Sequence, residues 1–130
     1  MKADKKRSAE PTKSELEILQ VLWQHGPQTA RFVNDFINKE RRPVIYMSTL
    51  KLMQIMIEKS LLKKDESKQS HVYRTAVAEH KTKGFLLDKV VENVFNGSAG
   101  SLMMQLLGNK QLTAEEIEEF KELIKKIDRK

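Results

Sequence analysis

Apolar residues recur at helical spacing from Leu16 onward. Leu16, Ile18, Leu19, Leu22 and Trp23 form one stripe, and Gly26-Pro27 stops it. Upstream, Thr12 with Glu15, or Ser14 with Glu17, fits a capping box. Thr29 offers an N-cap for a second helix to about residue 38, with Ala30, Val33, Phe36 and Ile37 facing inward. Pro43 disfavours helix in the residue before it, so residues 39–43 read as a turn. A third helix is expected over about residues 47–59. Leu52, Met53, Met56 and Ile57 lie on its inner side, with Tyr46, Ser48, Lys51, Gln54 and Glu58 largely opposite.

The pattern then shortens. Leu61 and Leu62, a polar tip over residues 64–70, and the run His71-Val72-Tyr73-Arg74-Thr75 read as two short strands around a hairpin. Three short helices followed by a hairpin is the order of a winged helix. After Ala78 the pattern is helical to the end. Phe85, Leu86, Val90, Val91, Val94 and Phe95 mark one helix, ended by Asn96-Gly97. Ser98 can cap a short helix holding Leu102, Met103, Leu106 and Leu107, closed by Gly108. Thr113 with Glu116 opens a last helix, in which Ile117, Phe120, Ile124 and Ile127 make a narrow seam. Three such amphipathic helices leave much apolar surface uncovered, and pairing with a second copy is the favoured remedy, since twofold dimers are the commonest oligomers. The expected fold is mainly α with a small β wing. A flexible basic arm (1–11) precedes a winged-helix DNA-binding domain (12–77) and a three-helix dimerisation region (78–130).

Composition narrows the chemistry. The 130 residues include no cysteine, which excludes disulfides, thiolate metal sites and cysteine nucleophiles. No apolar run approaches the roughly 20 residues of a membrane span, and no signal h-region follows the basic start, so a cytoplasmic location is expected. His25, His71 and His80, at a helix end, on a wing strand and in a linker, share no metal-ligand spacing. The acidic run Glu115, Glu116, Glu118, Glu119 and Glu122 lies opposite an apolar seam near a helix N-terminus, where negative charge is favourable. It reads as a solvated face. Nothing points to catalysis, and no metal or cofactor is called for.

The net charge of +6 is uneven: residues 1–80 hold 15 Lys/Arg against 10 Asp/Glu. That excess suits a polyanion. An α-helix fits the DNA major groove, its first turn approaching base edges while backbone amides meet phosphates. At the start of the third helix, Tyr46 and Ser48 can bond phosphate or bases. Met47 can meet a thymine methyl, Lys51 can reach either group, and Gln54 can read adenine. Thr29 and Arg31 open the second helix and suit a phosphate. Arg41 and Arg42 precede the reading helix, and Lys68 sits at the wing tip.

The run PTKSELEILQVLWQHGPQTARFVND, with its acidic–aliphatic–Leu-Trp pattern and Thr-Ala opening, resembles the first helices of the penicillinase-repressor family. Ser48-Thr49-Leu50-Lys51, then Met53 and Met56-Ile57-Glu58-Lys59-Ser60-Leu61-Leu62, is similar to that family's recognition helix and entry to the wing. His71-Val72-Tyr73-Arg74 resembles its wing strand. Phe95-Asn96-Gly97-Ser98 and Leu112-Thr113 with Glu115-Glu116-Ile117 resemble its dimerisation region. The resemblance covers about residues 12–127. It implies a dimeric repressor on palindromic operator DNA, silencing resistance-type genes such as a β-lactamase and its membrane sensor. Dimer contacts would then come from Val91, Val94, Phe95, Leu102, Leu106, Ile117, Phe120 and Ile124. In well-studied members a sensor-protease pathway cuts an Asn-Phe bond in the C-terminal region. The matching positions here are Gln105 and Leu106, a departure from that pair. The cysteine cluster of the copper-responsive branch is missing, which excludes copper sensing by that route.

Two other readings rank below this one. A winged-helix module that binds protein would be expected to carry less charge at its interface. A regulator gated by a small ligand would need an apolar pocket with convergent polar groups.

Overall fold

Thr12 starts the first helix by reciprocal capping. The Glu15 amide donates to the Thr12 hydroxyl (3.2 Å), and the Thr12 amide donates to the Glu15 carboxylate (2.9 Å). Of the two boxes the sequence allows, this one forms. Helix α1 (Lys13–His25) ends at Gly26, whose φ of +78° suits a residue without a side chain. The short β1 (Gln28–Thr29) follows, then α2 (Ala30–Glu40), α3 (Tyr46–Glu58), β2 (Leu62–Asp65) and β3 (Val72–Thr75). Helices α4 (Glu79–Val94), α5 (Ala99–Asn109) and α6 (Ala114–Asp128) complete the chain. The computed structural model describes residues 10–109 and 111–128. Most of the basic arm expected over residues 1–11 therefore lies outside the described residues.

The chain divides into two compact units, one through Thr82 and one from Lys83. In the first, α1 contributes Ile18, Leu19, Val21 and Leu22 to a buried core. Ala30, Val33 and Ile37 of α2 join it, with Met53 and Met56 of α3, Leu61, Leu62 and Tyr73. Each large aliphatic side chain so buried stabilises by about 1.5–3 kcal/mol relative to exposure. The hairpin is the antiparallel pair β2–β3, with Leu62 opposite Thr75 and Asp65 opposite Val72. β1 adds a third strand beside β3, Gln28 facing Tyr73. Together the three helices and the hairpin form the winged-helix arrangement. The indole of Trp23 donates to the Val77 carbonyl (3.2 Å), tying α1 to the segment that leaves the sheet.

Glu15 is 2 % exposed. Its carboxylate accepts from the Lys59 ammonium at 2.6 Å, which joins the start of α1 to the end of α3. A buried carboxylate needs such a partner.

In the second unit the turns follow their chemistry. Asn96 (φ +54°) and Gly97 (φ +82°) break α4, and the Gly97 amide donates back to the Val91 carbonyl (2.8 Å). Ser98 caps α5 by accepting from the Ser101 amide (3.0 Å). Thr113 and Glu116 cap α6 reciprocally, both bonds at 3.0 Å. No described residue of this unit is buried.

Three expectations need correction, and one strand was unforeseen. β1 had no sequence signal, because two residues are too short to show a period. α2 runs on to Glu40, so the turn is shorter than the expected 39–43, and α3 then covers Tyr46–Glu58. Gly108 lies inside α5, whose last described residue is Asn109, rather than closing it. His80 sits in the first turn of α4 and not in a linker. Among the described residues, no helix is long and apolar enough to cross a membrane.

Candidate nucleic-acid interface

Helix α3 turns its inner side to the core through Thr49, Met53 and Met56, all buried. Successive residues rotate by 100°, so Met47, Lys51 and Gln54 fall together on the far side, with Ser48 beside them. All four are exposed, and Met47 is 64 % exposed. With Leu50 they line a shallow hollow of about 400 Å³. A solvent-facing ridge of one apolar, one cationic and two hydrogen-bonding side chains is able to read base edges.

Beside this ridge the elements enclose an open cleft of about 640 Å³. Thr29, Ala30 and Arg31 line one wall, Tyr46, Leu50 and Gln54 the next, and Lys64, Gln69, Ser70, His71 and Tyr73 the wing side. Arg31 stacks on Tyr46, its guanidinium 4.0 Å from the ring centroid. Thr29 is the N-cap of α2, its hydroxyl accepting from the Phe32 amide (3.1 Å). Tyr73 lines the same cleft, and burial pushes its hydroxyl up from its usual pKa.

The wing tip is organised by charge. Lys64 and Glu66 pair at 2.9 Å, which raises the lysine pKa and lowers the glutamate pKa. The Asp65 carboxylate accepts from Ser67, whose amide lies 2.9 Å away, and ionises below its usual range for that reason. Lys68 is exposed within this tip.

Thr29, Arg31, Tyr46 and Gln54 are thus gathered on the cleft, and Met47, Ser48 and Lys51 along the adjoining ridge. Arg42 stands apart. Its guanidinium bonds Glu17 of α1 (2.7 Å), while that of Arg41 bonds Gln20 (3.0 Å). Sequence reasoning gave neither arginine an internal partner, because pairings 25 and 21 residues apart leave no local signal.

It also missed the polar bonds that hold the turn before α3. The Asn34 side chain donates to the Val44 carbonyl (3.0 Å) and to the Thr49 hydroxyl (2.8 Å). The Asn38 side chain donates to the Asn34 and Val44 carbonyls (2.8 and 2.7 Å) and accepts from the Val44 amide (3.1 Å). A signal for Asn34 existed: it occupies the inward stripe of α2, four residues after Ala30 and three before Ile37.

Among the described residues, no group of His, Asp or Glu could hold a metal ion. The sequence profile of the penicillinase repressor family matches residues 11–126. The chain belongs to the penicillinase repressor family. Its members are transcriptional repressors rather than enzymes. A comparison with curated proteins found no match. Within the penicillinase repressor family this chain is mainly helical with a small three-stranded antiparallel sheet.

Proposed function

We propose that the chain represses transcription in the cytoplasm by binding palindromic operator DNA as a homodimer, with α3 in the major groove. The exposed ridge of Met47, Ser48, Lys51 and Gln54 carries this reading, because it pairs base-reading groups with the cationic cleft beside it. Arg31 and Thr29 meet backbone phosphate at the start of α2, Tyr46 meets it across the cleft, and Lys68 meets it from the wing. Arg42 contributes when phosphate replaces Glu17 as its partner. The target genes are of the antibiotic-resistance type, a β-lactamase or a related stress gene.

Dimerisation belongs to the second unit. Val94 (69 %), Ile124 (54 %), Ile117, Phe120 and Leu106 are all exposed there, with Val91, Phe95 and Leu102 half-covered. So much bare apolar surface favours burial against a second copy. Two linked heads bind two half-sites at high effective concentration, so loosening the tails releases DNA without disturbing any base contact. A membrane sensor-protease acting between Gln105 and Leu106 would do this. That bond lies inside α5, so the helix must unwind there before a protease can take it as an extended strand.

Footprinting on the chain's own promoter tests the reading, with one protected palindrome as the expected result. Lys51→Ala should weaken binding by about tenfold, the scale of one lost base or phosphate contact, and leave the circular dichroism spectrum unchanged. Wild-type affinity in that variant removes Lys51 from the reading surface.

A further inference from the structure

Building on the DNA-binding reading, we propose that Asn34 and Asn38 are positioning residues. They fix the roll and entry angle of α3, and thereby decide which bases its ridge can meet.

The N-cap of α3 is Ile45, which has no side chain able to cap. Most helices are started by Ser, Thr, Asp or Asn at that place. Here the restraint comes from α2 instead. The Asn38 side chain brackets Val44 on both sides, holding its carbonyl (2.7 Å) and its amide (3.1 Å). Asn34 grips the same carbonyl (3.0 Å) and also the Thr49 hydroxyl (2.8 Å), which lies within the first turn of α3. Asn38 in turn ties itself to the Asn34 carbonyl (2.8 Å).

Two fixed points, Val44 before the helix and Thr49 within it, define both tilt and roll. Thr49 lies across the helix from Met47 and Lys51, so holding it sets the direction of the ridge. Asn34 and Thr49 are 5 % and 3 % exposed, and with Glu15 they are the buried polar residues of a mainly apolar core. An apolar pair at these positions would pack as well and leave nothing unsatisfied. Directional bonds add geometry rather than adhesion.

The consequence for DNA is selective. Hydrogen bonds to base edges tolerate only a few tenths of an ångström. Phosphate contacts made by long lysine and arginine side chains adjust more freely, and carry no sequence information. Loss of the restraint should therefore reduce discrimination and leave general affinity in place.

The test uses the full chain and two duplexes of equal length: the one it selects from a random-sequence pool, and a scrambled version. Thr49→Val keeps the shape and removes the acceptor, while Thr49→Ser keeps the hydroxyl. Because Thr49 is buried, any change it causes in base preference must pass through the helix. Thr49→Val and Asn38→Ala should each lose about tenfold in preference for the selected duplex, with Thr49→Ser staying within about twofold of wild type. Affinity for the scrambled duplex and its salt dependence should not move. Full preference in Thr49→Val and Asn38→Ala, or equal weakening on both duplexes, overturns the proposal. Should Asn38→Ala fail to fold, the Thr49 pair decides alone. A wild-type chain that selects no duplex defeats the DNA-binding reading itself, which is a separate outcome.

Discussion

Arg31 and Tyr46 come from different helices, yet the guanidinium carbon of one lies over the ring of the other, 4.0 Å from its centroid. The contact keeps a cation on the wall of the cleft, which suits a phosphate oxygen better than a freely moving side chain does.

Arg31→Ala should therefore lower affinity for any duplex and reduce the slope of log affinity against log salt by about 1. Arg31→Lys should keep the slope and still bind less tightly, because an ammonium does not reproduce the guanidinium's contact with the ring. Fluorescence anisotropy across a salt series measures both. An unaltered slope in Arg31→Ala would mean that no phosphate meets this residue.

A charge placed in the α6 seam should separate the dimer. Ile124 is 54 % exposed in the single chain, and Ile124→Glu would have to bury a carboxylate at the interface. Sedimentation should show a dimer for the wild type and a monomer for the variant at micromolar concentration. Operator affinity should fall with it, while the first unit keeps its fold. A wild-type monomer would rule out the assembly.

The Glu15–Lys59 pair should matter for stability more than for binding. Lys59→Ala leaves the Glu15 carboxylate buried without its cation, at a cost of about 3 kcal/mol. Adding Glu15→Leu should recover part of that loss, because the unpaired charge goes with it. Denaturant titration of the single and double variants checks this, and equal stability of Lys59→Ala and wild type would refute it.

The wing tip should respond to pH at both extremes. Asp65 and Glu66 ionise below their ordinary 3.8 and 4.5, so their contribution is complete above those values and fades as the pH falls through the depressed ones. Lys64 titrates above its ordinary 10.5, so its contribution is complete below that and is lost as the pH rises further. Carboxyl chemical shifts followed by NMR should give midpoints below 3.8 and 4.5. Ordinary midpoints would mean that the tip is unstructured in solution.

Much of the first unit was legible because its signals are local. Thr12 with Glu15, Thr29, Gly26 and the stripes of α1 to α3 act over four residues or fewer, and each appears where its chemistry requires. Val21 was overlooked because α1 is covered over a wider arc than one stripe suggests. The Glu15–Lys59 pair joins residues 44 apart in sequence, and nothing in the chain marks them as partners. The capping role of Glu15 was visible, and its burial was not. On the candidate interface, the outward face of α3 could be read directly from its period. The stack on Tyr46 and the wing residues His71, Gln69 and Ser70 depend on how the hairpin folds back, which no local pattern encodes.

Trp23 is the chain's sole tryptophan, and its indole rests on the carbonyl of Val77, two residues beyond β3. Nature has thereby wired a lamp to the exit of the wing. If the strand end lifts away, the indole loses its acceptor and gains water, and its emission must redden. Intrinsic fluorescence can accordingly follow undocking of that segment in real time, with no dye attached and no residue replaced.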